Sequence, residues 1–309
     1  MNWFTKSSAL IGLLALMIAS VNAQKNHAGL AEKARTQFID VEGARIAYRS
    51  FGQGEPIIFL QRYRASMDDW DPGLLDVLAI TRRVILFDNA GVGESGGSVQ
   101  PTLEGAADTT AALIKALGLQ KVDVLGWSMG GMTAPILAIK HPELVRKLVL
   151  TGTVPPGGSS EIVVSLENRN WGSTATKPTY TDEDILLLFF SPSESGLRAG
   201  HSSLARTSKR RPATEMKSTP EARTAQSAAM RGFFKNEGSW YQRLKEIKAP
   251  TLVANGDRDP VFPAIDSVIL AREIPDAELA IYPDSGHGFL FQYPDRFAAD
   301  VRSFLDKTH

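Results

Sequence analysis

Short runs of apolar residues recur along this chain, and most are followed by a stretch with helical spacing. The runs are "PIIFL" (Pro56 to Leu60), "RRVILFD" (Arg82 to Asp88), "KVDVLGW" (Lys121 to Trp127), "VRKLVLTG" (Val145 to Gly152), "PTLVANG" (Pro250 to Gly256) and "AELAIYP" (Ala277 to Pro283). A strand that is apolar at successive positions is covered on both faces, and helices must supply the cover. Thr102 to Leu119 has helical period, with Thr102 placed as N-cap and Gly118 as a stop. Helices are also expected between Gly130 and Pro142, near Pro263 to Glu273, and from Pro294 to Leu305. Ahead of these units, Phe38 to Val41 and Ala44 to Tyr48 alternate in polarity on either side of Glu42-Gly43, which reads as an antiparallel hairpin. The expected fold class is α/β: a mainly parallel eight-stranded sheet with helices on both faces.

The alternation breaks between Val154 and Trp240. Helical patches such as "DEDILLLFF" (Asp182 to Phe190) are separated there by Pro, Ser and Gly, and no strong strand signal appears. A helical insertion over residues 155–240 accounts for this, leaving core segments 24–154 and 241–309. With 43 % apolar residues, 309 residues suffice for such a core. Basic and acidic residues balance at 34 each, so global charge points to neither nucleic acid nor an anionic membrane. The local basic run from Ala205 to Pro212 reads as a solvated helix end.

Lys6, an apolar run from Ala9 to Ala19 and small Ala23 form the pattern of a secretory signal peptide over residues 1–23. The run is too short to span a bilayer as a mature helix. The expectation is an exported protein, periplasmic or secreted, without a stable membrane anchor. The chain has no cysteine, which excludes disulfides, thiol nucleophiles and thiolate metal sites. There is no H-E-x-x-H and no paired histidine cluster, so neither a metal nor a cofactor is expected. The run Gly91 to Ser95 lacks the spacing of a dinucleotide fingerprint.

The strongest chemical signal is Gly126-Trp127-Ser128-Met129-Gly130. It matches G-x-S-x-G and lies between an expected strand and an expected helix, the context that lifts a serine from a sheet edge on a strained turn. A serine hydroxyl needs a base, and the base needs an orienting acid. Of the five histidines, His287 follows the last strand, where it can reach across the carboxyl edge. His27, His141, His201 and His309 lie in the leader-proximal segment, at a helix end, in the insertion and at the terminus. For the acid, Asp257 and Asp259 both follow the strand ending at Gly256, and Asp284 is a nearer alternative suited to a local turn bond. No carboxylate closely follows the strand ending at Gly152.

Through "GWSMGG", "FDNAGVGESGG", "NGDRDPVFP" and "SGHGFLFQYPDRF", the chain resembles the α/β-hydrolase superfamily from about Phe38 onward, in particular serine hydrolases with a helical cap. The resemblance implies a triad of Ser128, Asp259 and His287, with Asp259 chosen over Asp257 by the family's G-x-x-D pattern. It implies oxyanion donors at Met129 and, from the loop after the third strand, Tyr63. That loop reads His-Gly-X in many relatives and Gln61-Arg62-Tyr63 here. Two readings of the departure are open. Arg62 and Arg64 pair with Asp68, Asp69 or Asp71 to brace the loop, or one of them, or Gln61, contacts a polar or anionic substrate group. Gln61, Arg62 and Trp127 are the candidate substrate-binding residues, and Trp171, Phe189, Phe190 and Trp240 are candidates for an acyl pocket. The activity implied is hydrolysis of a small-molecule ester or lactone. C–C bond hydrolysis and cofactor-free perhydrolysis or haloperoxidation are rivals on the same triad, and a non-catalytic ligand receptor is the alternative of another class. Ser128 argues against the dehalogenases and epoxide hydrolases of this fold, which place Asp at that turn.

Overall fold

Glu42 and Gly43 both take positive φ, 50° and 83°. They turn β1 (Gln37–Val41) back on β2 (Ala44–Phe51), with Val41 opposite Ala44 and Gln37 opposite Tyr48. Positive φ at both turn positions matches the right-handed twist of the flanking strands. The computed structural model of the chain describes residues 29–158, 174, 177–209 and 218–308. The expected signal peptide and Trp171 lie outside the described residues, as do His27 and His309.

The hairpin opens an eight-stranded sheet in the order β1-β2-β4-β3-β5-β6-β7-β8. The later strands are β3 (Glu55–Leu60), β4 (Arg82–Phe87), β5 (Val122–Trp127), β6 (Val145–Thr151), β7 (Thr251–Gly256) and β8 (Ala277–Tyr282). β2 runs antiparallel to β4, and every pairing from β4 to β8 is parallel. β5 and β7 are buried at every position, whereas β8 at the sheet edge is half-exposed.

Side-chain alternation along β3 sends Ile58 and Leu60 into one core and Ile57 and Phe59 into the other. The first core is closed by α3 (Leu103–Ala116), α4 (Met129–Lys140) and α9 (Ala264–Glu273), the second by the short α1 (Leu30–Lys33), α2 (Pro72–Leu78), the short α10 (Phe289–Gln292) and α11 (Pro294–Asp306). Each fully buried Leu or Ile contributes roughly 1.5–3 kcal/mol over leaving it in water. The α3 ends follow their local chemistry. Thr102 Oγ1 accepts the Gly105 N–H at 3.0 Å, and Gly118 just beyond the helix has φ of 70°. All of α4 from Met129 to Ile139 is buried, because it lies between the sheet and α3.

Between β6 and β7 the described residues contain helices and no strand: α5 (Asp182–Phe189), α6 (Glu194–Thr207), α7 (Pro220–Phe234) and the short α8 (Trp240–Arg243). Leu186, Leu188 and Phe189 of α5 join the second core, and Ala229 and Phe233 of α7 join the first. The inserted helices therefore draw on the core at both faces of the sheet. Among the described residues, no helix is long and apolar enough to cross a membrane.

The amino edge of the sheet carries a buried ion cluster. Asp123 of β5 has a fully buried side chain and pairs with Arg146 of β6, with Arg82 Nε of β4 at 3.8 Å. Arg82 also pairs with Asp306 at the end of α11, and Lys147 Nζ donates to the Phe304 and Lys307 carbonyls at 3.0 and 2.6 Å. Burial pushes the Asp123 carboxyl up to about 6, against the pull of Arg146 and Arg82.

Candidate active site

Ser128 joins β5 to α4 with φ 57° and ψ −118°, a backbone conformation that a non-glycine residue rarely adopts. Two glycines make the turn sterically possible. A Cβ on Gly126 would come within 2.4 Å of the Gly130 carbonyl oxygen, and one on Gly130 within 1.9 Å of the Leu60 carbonyl oxygen. Hydrogen bonds hold the strained residue from both sides. Ser128 N–H donates to Thr151 O at 3.0 Å, and Ser128 O accepts from Thr153 Oγ1 at 3.0 Å and from Met132 N–H at 3.1 Å. Strain of this kind costs on the order of 1–3 kcal/mol and persists where the surroundings over-determine it.

His287 follows β8 and is 2 % exposed. Its Nδ1 is 2.8 Å from Asp259 Oδ2. The other carboxylate oxygen, Asp259 Oδ1, accepts the N–H groups of Val261 at 2.7 Å and Phe262 at 3.0 Å. Those bonds leave Asp259 one orientation, and it sets the imidazole tautomer with the proton on Nδ1. The ring is flanked by Trp127, Phe262 and Phe189 at centroid distances of 5.5, 5.6 and 5.8 Å. Trp127 Nε1–H donates to the His287 carbonyl at 3.0 Å, and Gly288 N–H donates to the Phe189 carbonyl at 2.6 Å. The histidine loop is thus fastened to β5 below and to α5 above.

Asp257, the rival acid, instead accepts the Ser285 N–H at 3.2 Å. Asp284 reaches beyond its own turn. It accepts from Ser193 Oγ at 2.6 Å and Ser195 Oγ at 3.2 Å, and it pairs with Arg258 at 3.2 Å. The expected local turn bond is replaced by a tie to α6, and the Ser193 hydroxyl holds the Asp284 carboxyl below its ordinary range. His141 bonds Asp108 at 2.8 Å, and His201 is exposed on α6.

Ser128 and His287 both line a cavity of about 670 Å³, whose remaining wall comes from the loop after β3, from Pro178 and Tyr180, from α5 and α7, and from Val261 and Phe262. Met129 is the first residue of α4, in the turn whose N–H groups have no acceptor within the helix. Tyr63 stands on the cavity wall and is tied to α7, with its hydroxyl 2.9 Å from Ser227 Oγ. The next residue, Arg64, has φ 65°, and its N–H donates to Gln226 Oε1 at 3.0 Å. Gln226 is 2 % exposed. One face of α7 therefore grips the loop on both sides of the Tyr63–Arg64 peptide. The sequence reading missed Gln226 and Ser227, although Arg223, Ser227, Met230 and Phe234 are spaced as one helix face and all reach the cavity.

The two loop arginines divide the readings offered for them. Arg62 braces the loop: Nη2 lies 3.3 Å from Asp69 Oδ1 and Nη1 donates to the Tyr63 carbonyl at 2.9 Å. Asp68 and Asp71 are taken by Arg49 and Arg206. Arg64 turns to the insertion, donating to the Lys177 and Pro178 carbonyls at 2.7 Å each and lying over the Tyr180 ring. Gln61 is not on the cavity wall, because its side chain is buried with Nε2 donating to the Phe87 carbonyl at 2.7 Å. Trp127 is also off the wall, buried under the imidazole. Of the acyl-pocket candidates, Phe189 lines the cavity. Phe190 and Trp240 are packed into the two cores instead. Asp88 explains the glycine-rich stretch after β4: its carboxylate accepts the N–H groups of Met67 at 2.7 Å and Glu94 at 2.8 Å, so the stretch is a structural loop.

A model of the alpha/beta hydrolase fold matches residues 55–294. The chain belongs to this family. A 2-hydroxymuconate semialdehyde hydrolase of Pseudomonas putida is 31 % identical over 227 residues, covering 73 % of this chain and 77 % of its own. An α/β-hydrolase fold protein from Chitinophaga pinensis superposes with a TM-score of 0.78 at 30 % identity, over 91 % of this chain and 99 % of the other. Est816, described as an N-acyl homoserine lactone degrading enzyme, gives 0.67 at 25 % identity, over 87 % and 100 %. In this hydrolase fold the strained turn, the His287–Asp259 pair and the cavity meet at the carboxyl ends of β5, β7 and β8.

Proposed function

We propose that this hydrolase cleaves small carboxylic esters or lactones through an acyl-enzyme on Ser128. The observation that carries the reading is that Ser128, on its strained turn, and His287, bonded to Asp259 at 2.8 Å, line one cavity. Ser128 Oγ attacks the carbonyl carbon as His287 Nε2 takes its proton. The negative charge gathers on the carbonyl oxygen, facing the N–H groups of Met129 and Tyr63. Collapse of this intermediate expels the alcohol, which receives the proton from His287. Water, deprotonated by His287, then attacks the acyl carbon and frees Ser128. Asp259 keeps Nδ1 protonated and stabilises the imidazolium in both halves. Loss of one oxyanion donor in such a site typically costs about 2.7–4 kcal/mol of transition-state stabilisation.

A fluorophosphonate probe should label the folded protein and not Ser128→Ala. Absence of labelling, or equal labelling of the variant, would overturn the reading. A panel of p-nitrophenyl esters and lactones then ranks the acyl groups. C–C bond hydrolysis on the same residues is the second reading, favoured by the 31 % relative that acts on 2-hydroxymuconate semialdehyde. It predicts turnover of vinylogous diketones with esters cleaved slowly. We also propose that residues 1–23 direct export and are removed. Mass spectrometry of the exported protein would find an N-terminus near Gln24, and an intact Met1 would exclude removal.

A further inference from the structure

The cavity is one-sided in charge. Arg62, Arg64, Arg223 and Arg231 line it, and among the described residues no Asp or Glu does. Three of the four are engaged by the protein. Arg62 bonds Asp69 and the Tyr63 carbonyl, Arg64 bonds the Lys177 and Pro178 carbonyls, and Arg223 Nη1 donates to the Pro178 carbonyl at 2.6 Å. Arg231 differs. It lies in the last turn of α7, is exposed, and its side chain makes no hydrogen bond or ion pair among the described residues. The same wall carries the apolar side chains of Met230, Phe234, Val261 and Phe262, together with Thr224 and Ser227 of α7.

Arg231 is exposed, so its pull on a carboxylate is screened until a bound ligand covers the pair against the cavity wall and weakens that screening. Its fork matches the two carboxylate oxygens. The other three arginines add a field of the same sign, which concentrates anions in the cavity. Among the described residues, no wall carboxylate competes for Arg231.

We propose that the natural substrate carries a carboxylate remote from its scissile carbonyl, joined to it by an apolar body, and that Arg231 binds that carboxylate. The proposal rests on the acyl-transfer reading of Ser128 and moves the anion contact from the loop after β3, where Arg62 and Arg64 are engaged, to α7. A cavity of about 670 Å³ accommodates such a molecule.

Two matched probes test it: p-nitrophenyl butyrate, and the mono-p-nitrophenyl ester of glutaric acid, which ends in a carboxylate. The expected result is that the ratio of kcat/KM, glutarate hemiester over butyrate, falls about tenfold or more in Arg231→Gln and is partly restored in Arg231→Lys. Added salt should lower the wild-type ratio more steeply than that of Arg231→Gln, which keeps only the field of the other three arginines. A ratio unchanged in Arg231→Gln overturns the proposal. Affinity of monomethyl glutarate for Ser128→Ala, with and without Arg231→Gln, reads the same contact without chemistry. If affinity falls with Arg231→Gln while wild type turns over neither ester, the subsite stands and the ester reading fails. If both esters turn over and affinity does not change, the subsite fails alone.

Discussion

At the carboxyl edge of the sheet, Ser128 sits at φ 57° and shares a cavity wall with His287. At the amino edge, Asp123 is fully buried and answered by Arg146 and Arg82. Both edges gather ionisable side chains where strand ends meet helices, yet they use them differently. The amino edge binds its charges to one another and to the end of α11, which ties β4, β5 and β6 to the last helix. The carboxyl edge keeps a backbone in an unfavourable conformation and turns polar groups toward open space. What separates them is whether a second partner is built in: Asp123 has two arginines, whereas His287 has Asp259 on one side and a cavity on the other. Stability and chemistry should therefore respond separately to changes at the two edges.

The largest expected effect is at the carboxyl edge. Ser128→Ala should lower ester turnover by about 10³-fold or more, and Asp259→Asn by about 10²–10⁴-fold, with thermal midpoints close to wild type. A large fall in midpoint for both would show that they act as structural residues, like Asp123. Gly130→Ala would break the separation, because its Cβ would press on the Leu60 backbone. Urea unfolding should show a loss of about 1–3 kcal/mol, with activity falling too.

Gln226→Leu removes the acceptor for the Arg64 N–H and should lower kcat about tenfold, with a smaller change in KM. Gln226→Glu, which keeps an acceptor oxygen, should retain more of kcat. An equal rise in KM alone would show that α7 shapes the cavity without setting the loop.

The smallest effect is at the amino edge and is read through pH. Burial raises the folded-state pKa of Asp123 from 3.8 to about 6, so the protonated form binds the folded state more favourably. That share of stability is complete below the unfolded value and is lost as pH rises through about 6. Relative to Asp123→Asn, wild type should gain about 1.4 kcal/mol between pH 7.5 and pH 5, measured by urea unfolding at both pH values. A difference that does not change with pH would show that Arg146 and Arg82 keep Asp123 ionised throughout. In Asp123→Asn, kcat should stay near wild type.

Much of this was legible in residue order. Apolar runs with helical spacing between them announced the parallel sheet, because a strand covered on both faces has no other pattern. The G-x-S-x-G turn was legible since two backbones pass too close for a Cβ at Gly126 and Gly130. Choosing Asp259 over Asp257 without the family pattern required coordinates. Both follow β7, and only the fold shows which one meets His287 Nδ1 and which accepts from Ser285. The substrate-facing guesses were least legible. Gln61, Trp127, Phe190 and Trp240 carry side chains suited to a binding site, but apolar character signals burial and says nothing about which buried surface a residue faces.

By itself the sequence determined the sheet, the strained serine turn and the histidine placed after the last strand, because these depend on local period, local sterics and chain order. The tertiary structure decided which aspartate meets His287, the grip of α7 on the loop after β3, and the difference between three engaged arginines and Arg231. Each of those is a contact between segments far apart in the chain, and the distance between such segments is set by packing, which residue order alone does not contain.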